Sequence, residues 1–156
     1  MCESNGKGKE YDFDDRLKFE GEYLNGKKNG KGKEYYNNGK IKFEGIFING
    51  QRWNGIGYDK MDNKVYELKN GEGYIKEYFD NGQLRFEGEY LNGLWNGKGK
   101  EYDFDGKLIF EGEYLYNYRL KGKYYVNGKL EYEGEYLYNN KNNGKGYDEK
   151  VILYMN

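Results

Sequence analysis

The segment Phe86–Tyr102 reads FEGEYLNGLWNGKGKEY, and most of the chain consists of variations on it. Close copies occupy Phe19–Tyr35 (FEGEYLNGKKNGKGKEY), Phe110–Tyr125 (FEGEYLYNYRLKGKYY) and Tyr132–Tyr147 (YEGEYLYNNKNNGKGY). The second glycine of each Gly-x-Gly, or its equivalent, recurs about every 24 residues. A repeat of this regularity identifies a repeat protein, in which each unit is one small supersecondary element.

Within the unit, side chains alternate with the two-residue period of a β-strand. Aromatic residues and glycine take every second position of FEGEY, with glutamates between them, and Gly-Lys-Gly-Lys alternates in the same way. Asn92-Gly93 lies between the two halves, and Asn-Gly favours a tight turn because both residues tolerate positive φ. The unit is therefore predicted to be a β-hairpin with aromatic residues on one face and cross-strand Glu–Lys pairs on the other. The glycines leave room for an aromatic ring of a neighbouring strand to lie flat across the backbone.

Composition favours an all-β chain and disfavours several classes of function. The 156 residues include 20 Tyr and 25 Gly, but no Pro, no His and one Cys. The 26 basic and 27 acidic residues are interleaved, so no basic field favours nucleic acid as a partner. Cys2 alone cannot form an internal disulfide. The N-terminal sequence is not a signal peptide and no apolar run has the length of a membrane span, so a cytoplasmic location is expected.

The whole chain, residues 1–156, is predicted to form one domain of about seven units with no helix. It begins with a half unit at residues 5–18, in which Gly6–Tyr11 has no FEGEY strand before it. Residues 58–70 replace a full hairpin by a shorter, irregular unit, where a bend or insertion is expected. Residues 147–155, with their apolar run, are predicted to form a closing strand or to pair with a second copy.

The aromatic-x-Gly-x-aromatic strand, the Gly-Lys turn and the following Gly-x-Gly resemble the MORN repeat over about residues 5–150. The first position is usually Phe here, and the fifth is Tyr or Phe where the family often has Trp. The resemblance implies an elongated, twisted, single-layer antiparallel sheet of stacked hairpins with an aromatic-lined groove. It also implies a scaffold or adaptor with protein partners and, in some members, membrane association.

No arrangement of residues points to an enzyme, a cofactor or a metal. Glycine-rich loops that hold phosphates need a helix after them, and no helical period is present. Repeated pairs such as Glu87 and Glu89 have identical surroundings, whereas catalytic carboxylates have different ones. Without His, and with one Cys, the chain offers no nucleophile–base pair or soft metal site. Asp103–Gly106 lacks most ligands of a calcium loop and is expected to be a turn.

The aromatic residues are the candidate binding surface. A single-layer sheet cannot hide both faces, so we expect rings that are partly exposed and able to hold a protein segment. Trp53 and Trp95 each precede an Asn-Gly pair that reads as a turn, where the first unit has Lys28. Each tryptophan either folds over the adjacent repeat or faces a partner. The candidate partner-binding residues are Phe19, Tyr23, Phe43, Phe47, Trp53, Phe86, Tyr90, Trp95, Phe110, Tyr114, Tyr132 and Tyr136.

Two alternative functions use other parts of the chain. The Lys-rich turns with Lys27, Lys28, Lys31 and Lys33 would attract an anionic membrane surface, although the balancing glutamates disfavour it. The terminal strands, Gly6–Tyr11 or Val151–Met155, would pair with a second copy and form a homodimer or a longer fibre.

Overall fold

The structure, a computed structural model, describes residues 5–147, and its regular elements are antiparallel β-strands. Successive strands pair in chain order, and no helix occurs within this range. The thirteen strands are β1 (Gly6–Tyr11), β2 (Leu17–Leu24), β3 (Lys27–Tyr35), β4 (Ile41–Ile48), β5 (Gln51–Tyr58), β6 (Lys64–Leu68), β7 (Gly73–Tyr78), β8 (Leu84–Leu91), β9 (Leu94–Tyr102), β10 (Leu108–Leu115), β11 (Tyr118–Val126), β12 (Lys129–Leu137) and β13 (Asn140–Gly146). The predicted all-β array of consecutive hairpins is confirmed. All but the first residue of the predicted closing strand at 147–155 lies outside the described residues.

The strands form two sheets, where the sequence predicts one continuous sheet. The first sheet contains β1 to β6 and the second contains β7 to β13, each in chain order. Between β6 and β7 the ladder within the described residues is reduced to a single bridge, Lys69 to Glu72. The reason is the shortened repeat, since β6 has five residues where β2 and β4 have eight. The break falls next to the segment 58–70 for which the sequence predicts an irregular unit.

Two-residue turns close the hairpins that begin with an FEGEY-type strand, such as that of β8 and β9, whereas longer loops connect the other neighbouring strands. Asn92 and Gly93 have φ values of 52° and 79°, so both lie in the left-handed region that a tight hairpin turn requires. Asparagine and glycine accept this region at little steric cost, which explains the recurrence of the pair at the end of FEGEYL.

Where a unit has a second Asn-Gly pair, as at Asn29, Asn54 and Asn96, this pair has a different task. Asn29, inside β3, accepts a hydrogen bond on its side chain from the backbone N–H of Asn49 in the next turn, at 3.2 Å. The N–H of Gly50 donates to the carbonyl of Lys28 at 2.8 Å. Successive turns are therefore stacked along one edge of the sheet and held by the strand of the preceding hairpin.

The core is a row of aromatic rings laid over glycines. A Cβ atom built on Gly88 or Gly99 would lie 2.8 or 2.7 Å from Cζ of Phe86, so only glycine leaves room for this ring. Neighbouring rings meet edge to face, with Tyr114 at 5.3 Å from Phe86 and 5.4 Å from Phe110 between centroids. The predicted stacking of a ring on a glycine of the neighbouring strand is confirmed at Gly99. Gly88 receives a ring of its own strand.

Candidate functional site: a charged groove on each sheet

The twelve aromatic residues proposed from the sequence lie in or beside the core row. Eight are buried, namely Phe19, Phe43, Phe47, Phe86, Phe110, Tyr114, Tyr132 and Tyr136. Four are half-buried, namely Tyr23, Trp53, Tyr90 and Trp95. Because a buried ring offers no surface to a partner, direct contact with a partner stays a prediction for the half-buried four.

A layer of cationic side chains, which the sequence reasoning missed, covers these rings. The cation is the second residue after the hairpin turn, and it lies opposite the fifth residue of the FEGEY-type strand, as Lys28 lies opposite Tyr23. The covering contacts are Lys28 Nζ at 4.2 Å from the Phe19 ring centroid, Arg52 Cζ at 5.2 Å from Phe43, Arg119 Cζ at 4.6 Å from Phe110 and Lys141 Nζ at 5.3 Å from Tyr132. Each cation attracts the ring face and shields the ring from water.

Trp95 takes the covering position in the hairpin of β8 and β9. Its ring stacks on Phe86 with centroids 3.9 Å apart and planes 5° from parallel. An apolar, flat cover replaces a cationic one here, and the indole is folded over its own hairpin.

Trp53 is not the equivalent of Trp95, although both precede Asn-Gly. Strands β5 and β9 each have a central glycine that pairs with a glycine of the neighbouring strand, and these are Gly55 and Gly99. Arg52, which pairs with Phe47, lies three residues before Gly55, whereas Trp95 lies four residues before Gly99. Because the bulge in β5 is one residue shorter, Arg52 takes the covering position and Trp53 lies at the junction of the two sheets. There Trp53 packs against Gly71, and its carbonyl accepts the N–H of Gly71 at 2.8 Å. Both tryptophans lie in strands rather than turns.

Arg52 also joins the two sheets. Its guanidinium lies 2.6 Å from Glu34 of β3 and 3.0 Å from Glu77 of β7, and it donates to the hydroxyl of Tyr66 at 2.9 Å. All three partners and Arg52 itself are largely buried. Burial alone would raise the pKa of Glu34, but the charges of Arg52 and Lys28 outweigh it and hold the pKa of this carboxyl below its ordinary value.

The face opposite the aromatic row carries one groove on each sheet. The groove of the second sheet has a volume of about 620 Å³. Its floor is the backbone of one glycine from each of four adjacent strands, namely Gly99, Gly112, Gly122 and Gly134. On the opposite face of the sheet, these glycines lie against the aromatic rings. A single layer of backbone therefore separates the groove from the aromatic row.

Charges alternate from strand to strand along both walls of this groove. One wall consists of Lys98, Glu113, Lys121 and Glu135, and the other of Lys100, Glu111, Lys123 and Glu133. The second wall extends in register to Lys76 and Glu87 on one side and to Lys145 on the other. Adjacent strands lie ~4.8 Å apart, so this ladder of seven alternating charges spans roughly 29 Å. We call it the charge ladder.

The first sheet carries a similar groove of about 690 Å³. Its walls include Lys9, Glu20, Lys33 and Glu44 on one side and Lys7, Glu22, Lys31 and Ile46 on the other. Ile46 ends the alternation on the second wall, so the first groove has the less regular charge pattern.

Two glutamates of the ladder are held by tyrosine hydroxyls, whereas Lys76 is only loosely held. The hydroxyl of Tyr102 donates to Glu87 at 2.8 Å, and that of Tyr125 donates to Glu111 at 2.6 Å. By contrast, Lys76 lies 3.9 Å from Glu87 and remains partly exposed. The end of Lys76 can therefore turn towards an incoming charge, while the carboxylates of Glu87 and Glu111 hold their positions.

These hydroxyls predict an alkaline transition. Burial and the bond to Glu87 raise the pKa of Tyr102 to about 12, and the bond to Glu111 together with burial raises that of Tyr125 to about 12. Since folding raises these pKa values, the stabilisation is complete below pH ~10 and is lost as pH rises to ~12. We expect tyrosinate absorbance to show a late-ionising group of tyrosines, and Glu111→Gln to shift part of it to lower pH. A single titration step near pH ~10 for all tyrosines would contradict this.

The grooves differ from the aromatic-lined groove that the sequence leads us to expect. Glycines cover the rings on one side, and cations or Trp95 cover them on the other. The open grooves of the described strands are therefore lined chiefly by Lys, Glu and Gly. No group of three or more metal-ligating side chains was found in residues 5–147. The same residues include no helix with the length and apolar character to cross a bilayer.

Comparison with known families gives matches in both sheets. The MORN repeat matches residues 19–41 and 86–107, and the MORN repeat variant matches residues 71–92. No curated protein gives a significant match over the chain. MORN repeats are non-catalytic modules that in general interact with proteins or membranes. The family matches, together with the stacked hairpins and their glycine-supported rings, show that this chain contains MORN repeats.

Proposed function

We propose that this protein is a non-catalytic scaffold that binds a segment of another protein in its charged grooves. The observation that carries the proposal is the charge ladder, in which seven lysines and glutamates alternate in register across the second sheet. Such a surface has almost no net charge. It therefore selects a partner by the spacing of its charges rather than by their sum.

The spacing favours a helical partner over an extended one. A helix rises 1.5 Å per residue, so acidic and basic residues that alternate every three or four positions are ~5 Å apart along its axis. This distance is close to the ~4.8 Å between strands. Along an extended segment, side chains on the same side recur only every ~6.8 Å and fall out of step within a few strands. The glycine floor allows the main chain of the partner to approach closely.

Two of the four lysines that suggest membrane binding, Lys28 and Lys33, have acidic partners. Lys28 lies over Phe19 and forms ion pairs with Glu10 and Glu34 at 3.3 and 3.5 Å. Lys33 lies 3.9 Å from Glu44. These contacts reduce the positive charge that the Lys-rich segment offers to an anionic bilayer, which favours a protein segment as the partner.

A peptide pair of identical composition tests the proposal. We expect an alanine-based helical peptide with Glu and Lys alternating every three or four residues to bind at least ~10-fold more tightly than a peptide with the same residues in one acidic and one basic block. Calorimetric titration at low salt measures both affinities, and added salt should weaken the tighter complex. Equal affinities would contradict selection by charge spacing.

Matched variants test whether the peptide binds on the charge ladder. Lys100→Glu together with Lys123→Glu should abolish the preference for the alternating peptide, because both positions then repel its acidic residues. Lys69→Glu together with Lys107→Glu makes the same change in net charge at two exposed positions outside the ladder and serves as the control. A loss of binding in the control as large as in the Lys100 and Lys123 variant would place the peptide elsewhere.

A further inference from the structure

We infer that the free edge of β1 is a binding site for one strand from another polypeptide, with the pattern aromatic-Glu-Gly-Glu-aromatic. This site is separate from the grooves of the proposed function. Within residues 5–147, β1 has a paired neighbour on one side only, and that neighbour is β2. The other side presents unpaired backbone groups, as edge strands that accept a peptide strand do.

A ring is missing from the aromatic row at this edge. Phe47 lies between two rings, at 5.2 Å from Phe19 and 5.5 Å from Phe43, and Tyr114 and Tyr136 are flanked in the same way. Tyr23 is the corresponding ring at the edge, and in the described part of the chain its edge-to-face contact is with Phe19 alone. The row therefore ends one ring short beside β1.

A cavity occupies the place of that ring. It has a volume of about 340 Å³ and lies against β1, with Tyr23 and Gly8 among its lining residues. In the interior of the sheet, the equivalent Gly32 lies under Phe19 of the preceding strand, 2.6 Å from a Cβ built on the glycine. Gly8 is contacted by Tyr23 of the following strand, β2. Among the described residues, no ring from a preceding strand lies over Gly8. An incoming phenylalanine or tyrosine would fill this space.

The charges of β1 specify the residues that flank the incoming glycine. In the pairing of β2 with β3, Glu20 lies opposite Lys33, and the carboxylate of Glu22 accepts the backbone N–H of Lys31. Lys9 and Lys7 hold the positions of Lys33 and Lys31 in β1. A strand with two glutamates around a glycine is therefore complementary, and each cross-strand pair is favourable.

The same charges disfavour a second copy of β1 as the occupant. An antiparallel pair of β1 strands centred on Gly8 would place lysine opposite lysine, which is destabilising. Strand β13, at the other end of the array, also carries lysine next to its central glycine, at Lys145. Self-association through Gly6–Tyr11 is thus less well matched than capture of an acidic, aromatic strand.

A fluorescent peptide with the sequence of β8, LRFEGEYL, tests the inference against the full chain by anisotropy. We expect saturable binding, at least ~10-fold weaker binding of the peptide with Glu87→Lys and Glu89→Lys, and a similar loss for the peptide with Phe86→Ala. In the protein, Lys7→Glu with Lys9→Glu should lose the original peptide and gain the Lys-substituted one. That gain also shows that the variant is folded.

Three results would overturn the inference. The first is equal binding of the Glu and Lys peptides, or no saturable binding. The second is that Lys145→Glu loses binding while the variant with Lys7→Glu and Lys9→Glu still binds the peptide, which would assign the strand to β13. The third is a dimer of the chain that Lys7→Glu with Lys9→Glu dissociates, which would make a second copy the occupant.

Discussion

Replacing Phe86 by alanine is expected to lower the free energy of unfolding by ~3–5 kcal/mol, measured by urea denaturation. The ring is fully buried, stacks under Trp95 at 3.9 Å and supports the edge of Tyr114 at 5.3 Å. A single-layer sheet has no second layer that could collapse into the cavity, so little of the loss can be recovered. Because a domain of this size is stable by only ~5–15 kcal/mol, the variant should be close to unfolding.

Phe13→Ala is the matched control. Phe13 is the same residue type in the loop after β1, and its side chain is fully exposed, with a relative exposure of 108%. We expect its substitution to change stability by less than ~0.5 kcal/mol. A cost below ~1 kcal/mol for Phe86→Ala would show that the ring row is not the main source of stability.

Arg52→Ala is expected to cost ~3–5 kcal/mol, since it leaves two buried carboxylates, Glu34 and Glu77, without their shared cation. It also removes the side chain that bridges the two sheets and covers Phe43. Arg16→Ala is the control, because Arg16 forms a solvent-exposed ion pair with Asp12 and Asp14, and its loss should change stability far less than the loss of Arg52.

The pH dependence separates the electrostatic role of Arg52 from its packing. In the parent protein the lowered pKa of Glu34 stabilises the fold above its ordinary value of 4.5, and this contribution is lost as pH falls through the folded pKa. In Arg52→Ala, protonation of Glu34 relieves an unpaired buried charge, so the difference in stability should shrink as pH falls below 4.5. A difference that stays constant with pH would assign the effect to packing alone.

Much of the fold follows from short-range sequence patterns. The two-residue alternation around Gly88 predicts the strand, and Asn92-Gly93 predicts its turn, because both are determined by local backbone geometry. The glycine at position 99 predicts a ring from the neighbouring strand. The division into two sheets was not predictable in the same way, since it depends on how many ladder bonds a five-residue β6 can sustain.

The covering layer illustrates what the motif alone could not predict. Trp53 and Trp95 each precede an Asn-Gly pair, but aligning them by this pair wrongly makes them equivalent. The number of residues between the covering residue and the central glycine differs by one between the two strands. Counting outward from the turn gives the right one, since pairing next to a tight turn has a fixed register. By that count Arg52 and Trp95 are both second after their turns.

The grooves were missed for a related reason. The sequence shows that glutamates and lysines share a face, but strand pairing decides whether like or unlike charges become neighbours. The register Gly99 to Gly112 to Gly122 aligns the central glycines, and this alignment creates both the floor and the alternation of charge. Exposure of the rings could not be derived either, because it depends on cations that reach over them from the opposite strand.

The pairing of each strand with its neighbours in sequence has a consequence for how the protein folds. In most all-β proteins, partners far apart in the chain must find each other, and the loss of chain entropy before they meet slows folding. Here the longest connection between paired strands is a short loop, so contact order is low for a β protein. Each hairpin can dock on the one before it as the ribosome releases it, and the nascent chain never has to hold an unpartnered strand for long.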